Sequence, residues 1–179
     1  MSYNFEAEMK EAEKNFGIGK GDTFKFAEGD NRVRVMSPAK PLATHRISQK
    51  EFHTCYGAEN GCKYHGDNEA PRTDVKFVMW VIDRKDGKVK LAFFPYTIMK
   101  NLATLQNDAD YKFDELPMPY DITINANKAG TKEVTYTVLA KKETPLTAEE
   151  VAEWSTQKPI EDMIERLKSK ESKGEDEEE

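Results

Sequence analysis

Two cysteines and three histidines are all that this 179-residue chain possesses of either type, and they fall together as His45, His53, Cys55, Cys62 and His65, within 21 consecutive positions. Zinc favours a tetrahedron of thiolates and imidazole nitrogens, and Cys62-Lys63-Tyr64-His65 supplies a close pair that one tight turn can aim at a single ion. His45 and Cys55 close the other side, with His53 as the alternative ligand. Such a clip constrains the fold around it. A connection of about 25 residues is unusual unless something organises it, and a bound metal is such an organiser.

Other uses of the cysteines are less well supported. The N-terminal run MSYNFEAEMK has no apolar stretch of signal-peptide character, which points to a reducing cytoplasm rather than secretion and argues against a disulfide. Tyr56, Gly57, Asn60, Gly61 and Gly66 surround the cysteines with loop chemistry rather than core chemistry. No apolar segment approaches the roughly 20 residues that cross a bilayer, so no membrane role is expected.

A formal charge of −6 would disfavour a nucleic-acid partner if it were evenly spread. It is not. Residues 20–100 carry 15 Lys/Arg against 10 Asp/Glu, whereas residues 143–179 carry 5 against 13. This is the pattern of a basic body with an acidic tail.

Periodicity divides the chain into four parts. Phe5, Met9, Ala12 and Phe16 form one helical stripe that Gly17-Ile18-Gly19 stops, so residues 1–19 read as an N-terminal helix or arm. Residues 20–142 are β-rich, with strands expected at 31–36, 75–83, 88–94, 120–125 and 132–139. The metal loop 45–65 lies between the first two, and Lys85-Asp86-Gly87-Lys88 and Asn127-Lys128-Ala129-Gly130 form hairpins. Pro95 opens a helix carrying Ile98, Leu102 and Leu105. Five strands around one helix is the content of an OB-fold, a five-stranded Greek-key barrel, here with a metal-loop subdomain and peripheral N- and C-terminal helices. Residues 143–170 form a C-terminal helical segment, with a capping box at Thr147 and Glu150 and a docking stripe at Ile160, Met163, Ile164 and Leu167. Residues 171–179 read as a disordered acidic tail.

Alternation along the strands suggests a ligand surface. Arg32 and Arg34 share one face of their strand and Val33 and Val35 the other, so both guanidinium groups are expected to point outward as a basic stripe. The strand 75–83 is apolar on both faces, which requires core on one side and a second cover on the other. The Lys76/Trp80 and Lys90/Phe94 faces are assigned to the groove. Lys88, Arg46 and Arg72 add cations, and Tyr56 and Tyr64 on the metal loop serve as stacking platforms. Aromatic rings among cations suit single-stranded nucleic acid, whose bases stack for about 1–3 kcal/mol each while cations track the phosphates. For Trp80 the competing reading is burial in the core.

Gly29 through Pro38, then His45, Cys55 and Cys62-Lys63-Tyr64-His65, then Trp80 and Gly87-Lys88-Val89 stand in an order that resembles the single-stranded DNA-binding (helix-destabilising) proteins of tailed bacteriophages. The resemblance covers about residues 20–142. It implies an OB-fold and a structural zinc held by His45, Cys55, Cys62 and His65, the last replacing a cysteine. It also implies a protein that coats and protects single strands without sequence preference in phage DNA replication, recombination and repair, in the cytoplasm of the infected bacterial host. The acidic terminus, with Glu175, Asp176, Glu177, Glu178 and Glu179, would then recruit replication and recombination proteins and compete with DNA. The family's N-terminal arm is basic, whereas residues 1–19 carry 2 Lys against 4 Glu, which puts strong cooperativity in doubt.

Two other classes compete. A zinc-dependent nucleic-acid enzyme needs an open metal position and an adjacent base, and four protein ligands leave none open, so no catalytic residue is assigned. A protein-interaction adaptor of replication or transcription machinery would use the metal loop and C-terminal helix. Salt-sensitive binding to oligo(dT) separates the DNA-binding reading from the adaptor.

Overall fold

The computed structural model describes residues 23–47, 52–65 and 73–176. Seven strands, β1 (Gly29–Val35), β2 (Lys40–Arg46), β3 (Phe52–Thr54), β4 (Thr73–Asp83), β5 (Lys88–Phe94), β6 (Tyr120–Asn127) and β7 (Thr135–Glu143), form one open antiparallel sheet. Three α-helices accompany it: α1 (Tyr96–Asn107), α2 (Ala148–Ser155) and α3 (Ile160–Asp176). The order is β3-β2-β4-β1-β6-β7, with β5 pairing β4.

The five expected strands are present as β1, β4, β5, β6 and β7, with altered bounds. The other two belong to the excursion read as a loop. Pro41 hides β2, because proline lacks the N–H that an interior strand position usually donates. It is tolerated because β3 pairs only with Thr44–Arg46, leaving position 41 with Phe77 of β4 as its sole cross-strand partner. Both hairpins form. Gly87 takes φ 72° in the β4–β5 turn, and its N–H donates to the Asp83 carbonyl at 2.7 Å. Lys128 and Gly130 take positive φ between β6 and β7.

β4 is covered on both faces, as its double apolar pattern requires. Met79 and Val81 join Val33, Val35, Phe94, Ile122 and Ile124 in a core that includes Ile98 and Leu102 of α1. Val78, Trp80 and Ile82 join Met36, Leu42, Val89 and Leu91 in a second core beneath Ile160 and Ile164 of α3. Burying each such aliphatic side chain contributes about 1.5–3 kcal/mol, so the C-terminal stripe is a structural cover.

The capping box forms: Glu150 N–H donates to Thr147 Oγ1 at 3.2 Å, and Thr147 N–H donates to Glu150 Oε2 at 3.1 Å. Helix α3 continues to Asp176, so six residues assigned to the unstructured tail are helical. Once Ile160 and Ile164 anchor the first turns, each added residue gains a hydrogen bond without a new nucleation cost. The expected N-terminal helix at 4–16, Arg72 and the last three glutamates lie outside the described residues. No helix among the described residues is long and apolar enough to cross a membrane.

Candidate metal centre and adjoining cleft

Sheet register assembles the metal group. β2 carries His45 to the end of its ladder with β4, where it faces Thr73. β3 returns antiparallel beside β2, and Cys55 N–H extends that ladder by donating to Ala43 O at 2.9 Å. A single 3-10 turn, Ala58–Asn60, then reverses the chain between Gly57 (φ 98°) and Gly61 (φ 86°), and Cys62 N–H donates to Gly57 O at 3.1 Å. Left-handed φ at both ends of the turn favours glycine there.

The result brings one donor atom from each of His45, Cys55, Cys62 and His65 within 4.8 Å of all the others. Cys55 Sγ lies 3.1 Å from His65 Nε2, and Cys62 Sγ lies 3.5 Å from His45 Nε2. A tetrahedron with Zn–S of 2.3 Å and Zn–N near 2.0 Å has S···N edges of about 3.5 Å, so a metal ion fits the group. Both cysteines are free thiols. Burial pushes the Cys55 thiol up, and the neighbouring Cys62 sulfur adds to the shift, so a cation is what would allow two thiolates to sit side by side.

His45 is fully buried, and its Nδ1 lies 3.4 Å from Thr73 Oγ1, the kind of outer partner that orients a ligating imidazole. His53 stands opposite His45 across the β2–β3 ladder, but it is outside the group of four, with its ring 5.5 Å from that of Tyr64.

Beside the metal group the sheet leaves a cleft of about 530 Å³. The β4–β5 ladder ends at Phe77 and Phe94, so the chain leaves β5 at Pro95 next to the first residues of β4. Arg46, Lys76, Thr73, Tyr96 and the carboxylate of Asp74 line the opening, with Arg46 Nε 3.3 Å from Asp74 Oδ2. Burial pulls the Lys76 ammonium below the ordinary lysine range, and Arg46 adds to this. Tyr96 is 67% exposed. Thr73 lines this cleft and also faces His45, so the metal group and the cleft share a wall. No family model, curated protein or solved structure matches this chain.

The other residues assigned to the groove are dispersed by the tertiary structure. Arg32 and Arg34 do share a face, but it is not an open stripe. Asp121 of β6 accepts from Arg34 Nε at 2.7 Å, Arg32 Nε at 2.8 Å and Arg84 Nε at 3.1 Å. Glu150 of α2 also pairs with Arg84. Arg34 is 1% exposed, while the Arg32 side chain remains half-exposed. Trp80 is buried, with its Nε1–H donating to Lys158 O at 2.9 Å.

Phe94 is fully buried in the opposite core, because the register pairs it with Phe77 and pairs Trp80 with Leu91. The Trp80 and Phe94 faces were therefore wrongly combined into one groove. Lys90 bridges Asp83 and Asp86, and Lys88 is exposed at the hairpin. Tyr56 is buried rather than a platform, with its hydroxyl 3.4 Å from Gly61 O. Tyr64 is half-buried, with its ring 5.3 Å from that of His45.

Of the expected cations, the cleft gathers Arg46 and Lys76. Tyr96 escaped the sequence reading because it stood as the first residue after a helix-opening proline. Its position between a strand end and a helix start was the available signal.

Proposed function

We propose that this chain is a sequence-independent single-stranded DNA-binding protein in which a structural zinc, held by His45, Cys55, Cys62 and His65, shapes one wall of the DNA cleft. The observation that carries the reading is the convergence of Arg46, Lys76 and the exposed Tyr96 ring beside the metal group. Arg46, held beside Asp74, Lys76 and one uncovered aromatic face suit a phosphate backbone with unstacked bases.

The OB-fold reading is supported by connectivity. β5-β4-β1-β6-β7 is the strand order of such a barrel, α1 stands between its third and fourth strands, and the cleft adjoins the excursion between the first and second. A structural role for zinc is supported by four protein donors, which leave no open position for turnover. The residue order that resembles phage helix-destabilising proteins is what suggests a place in replication, recombination and repair, with the acidic terminus as a docking sequence for other proteins of those processes.

The test is an anisotropy titration of labelled oligo(dT) and a matching duplex at two salt concentrations, with wild type, Arg46→Ala, Lys76→Ala and Tyr96→Ala. Wild type is expected to prefer the single strand, with affinity falling as salt rises. Each cation variant should flatten the salt slope by about one unit or less, and the tyrosine variant should lose about 1–3 kcal/mol with its slope unchanged. Equal or absent binding of both oligonucleotides overturns the reading.

A further inference from the structure

A second cavity, of about 660 Å³, lies between the end of β1 with the loop that follows it, α1 and Trp154 of α2, and its rim is acidic. Met36, Met79, Met99 and Met118 line it together with Leu102 and Trp154. Met36, Met79 and Met118 form a closed floor, each 1–2% exposed, and the apolar groups a ligand could reach are the half-buried Met99, Phe113 and Trp154 and the exposed Leu116. One wall is the connection after α1, where Asp108, Asp110, Asp114 and Glu115 stand against Lys112 alone. All four acids are exposed, and Asp114 and Glu115 are part of the cavity rim. Tyr111 and Leu116 also keep large apolar side chains 40% and 37% exposed on this connection.

The wall is held in place. Tyr120 Oη–H donates to Tyr111 O at 2.6 Å, Gln106 Nε2–H donates to Phe113 O at 3.4 Å, and Met118 N–H donates to Val35 O at 3.0 Å. The volume lies within the range of about 300–1,000 Å³ typical of preformed binding cavities.

We infer that this apolar, acid-rimmed cavity docks a partner protein through a segment that presents a large apolar side chain flanked by lysine or arginine. Charge decides among occupants. A nucleic-acid strand is repelled by the carboxylate rim. The chain's own first 22 residues offer apolar side chains but carry 3 Lys against 5 acids, the wrong sign for this wall. A basic-apolar segment satisfies both halves of the site. The site stands apart from the DNA-binding reading and survives its failure.

Trp154 provides the readout, since the chain has only two tryptophans and Trp80 can be replaced by phenylalanine. A synthetic peptide with leucine and lysine at helical spacing is titrated into the full-length Trp80→Phe chain, alongside a leucine–glutamate peptide and a lysine–serine peptide. Labelled-peptide anisotropy on the wild-type chain gives a reading independent of that substitution. The leucine–lysine peptide alone is expected to give a saturable change in emission. The Asp114→Lys/Glu115→Lys variant should weaken it about tenfold or more at low salt, with the gap closing as salt screens the rim. Ala103→Arg, at an exposed position of α1 on the cavity wall, should also weaken binding, because it adds a bulky cation where the lysine-bearing segment docks. Equal binding of the leucine–glutamate or lysine–serine peptide, or no response to either substitution, overturns the inference. So does sedimentation showing that the chain self-associates and that Ala103→Arg disperses it, because the occupant is then a second copy.

Discussion

Arg34 Nε and Asp121 Oδ1 meet at 2.7 Å across the β1–β6 pairing, and both side chains are almost fully withdrawn from water. Arg34 Nη1–H also donates to Met118 O at 3.3 Å, while Nη2 is buried without a partner among the described residues. Asp121→Ala would leave the Arg34 charge uncompensated, and breaking a buried pair in this way costs about 3–5 kcal/mol. The expected result is a large drop in the urea midpoint. A loss below about 1 kcal/mol would show that Arg34 escapes to solvent or finds another acceptor.

Acid should act on the same pair. Burial alone would raise the Asp121 carboxyl, but hydrogen bonds from Arg84 and Arg34 outweigh it and hold the group below its ordinary value of 3.8. A carboxyl depressed in the folded state binds its proton more readily when unfolded. Its contribution is therefore complete above the unfolded pKa and is lost as pH falls through the folded one. The stability difference between wild type and Asp121→Asn should stay constant from pH 7 to 5 and shrink only below about pH 4. Shrinkage already above pH 5 would assign the effect to another group.

Chelation is expected to lower the melting temperature of the full chain, since metal binding energy in such a site is folding energy. His45→Ala should abolish metal binding and His53→Ala should retain one metal per chain by native mass spectrometry. Thr73→Ala should keep the ion but weaken its affinity about tenfold, through loss of the partner facing His45 Nδ1. A metal-free wild-type chain of undiminished stability would defeat the assignment.

Trp80 separates stacking from packing. Trp80→Phe removes the hydrogen bond to Lys158 O and should cost about 1 kcal/mol of stability, leaving oligo(dT) affinity unchanged. Truncation to alanine should cost about 3–5 kcal/mol. A normal melt with weakened DNA binding in Trp80→Phe would mean that the C-terminal helices lift from this face when DNA binds.

The local signals in the sequence were sound where the physics is local. Gly87 marks a turn because of its own φ, and Thr147 and Glu150 mark a helix start through hydrogen bonds three residues apart. His45, Cys55, Cys62 and His65 stand out because few residue types can ligate a soft metal at all. Alternation likewise set which side chains of β1 share a face, since a strand has a period of two whatever surrounds it. What covers that face was decided elsewhere in the chain. Arg34 and Trp80 are buried because Asp121 and the Lys158 carbonyl arrive from segments 87 and 78 residues away, and nothing near either residue announces them. The choice of His45 over His53 rests on the β2–β3 and β2–β4 registers, and Tyr96 joins Arg46 and Lys76 only because the β4–β5 ladder ends where it does. Residue type and spacing determined which groups were available for a site, whereas long-range strand pairing determined which of them reach water, metal or one another.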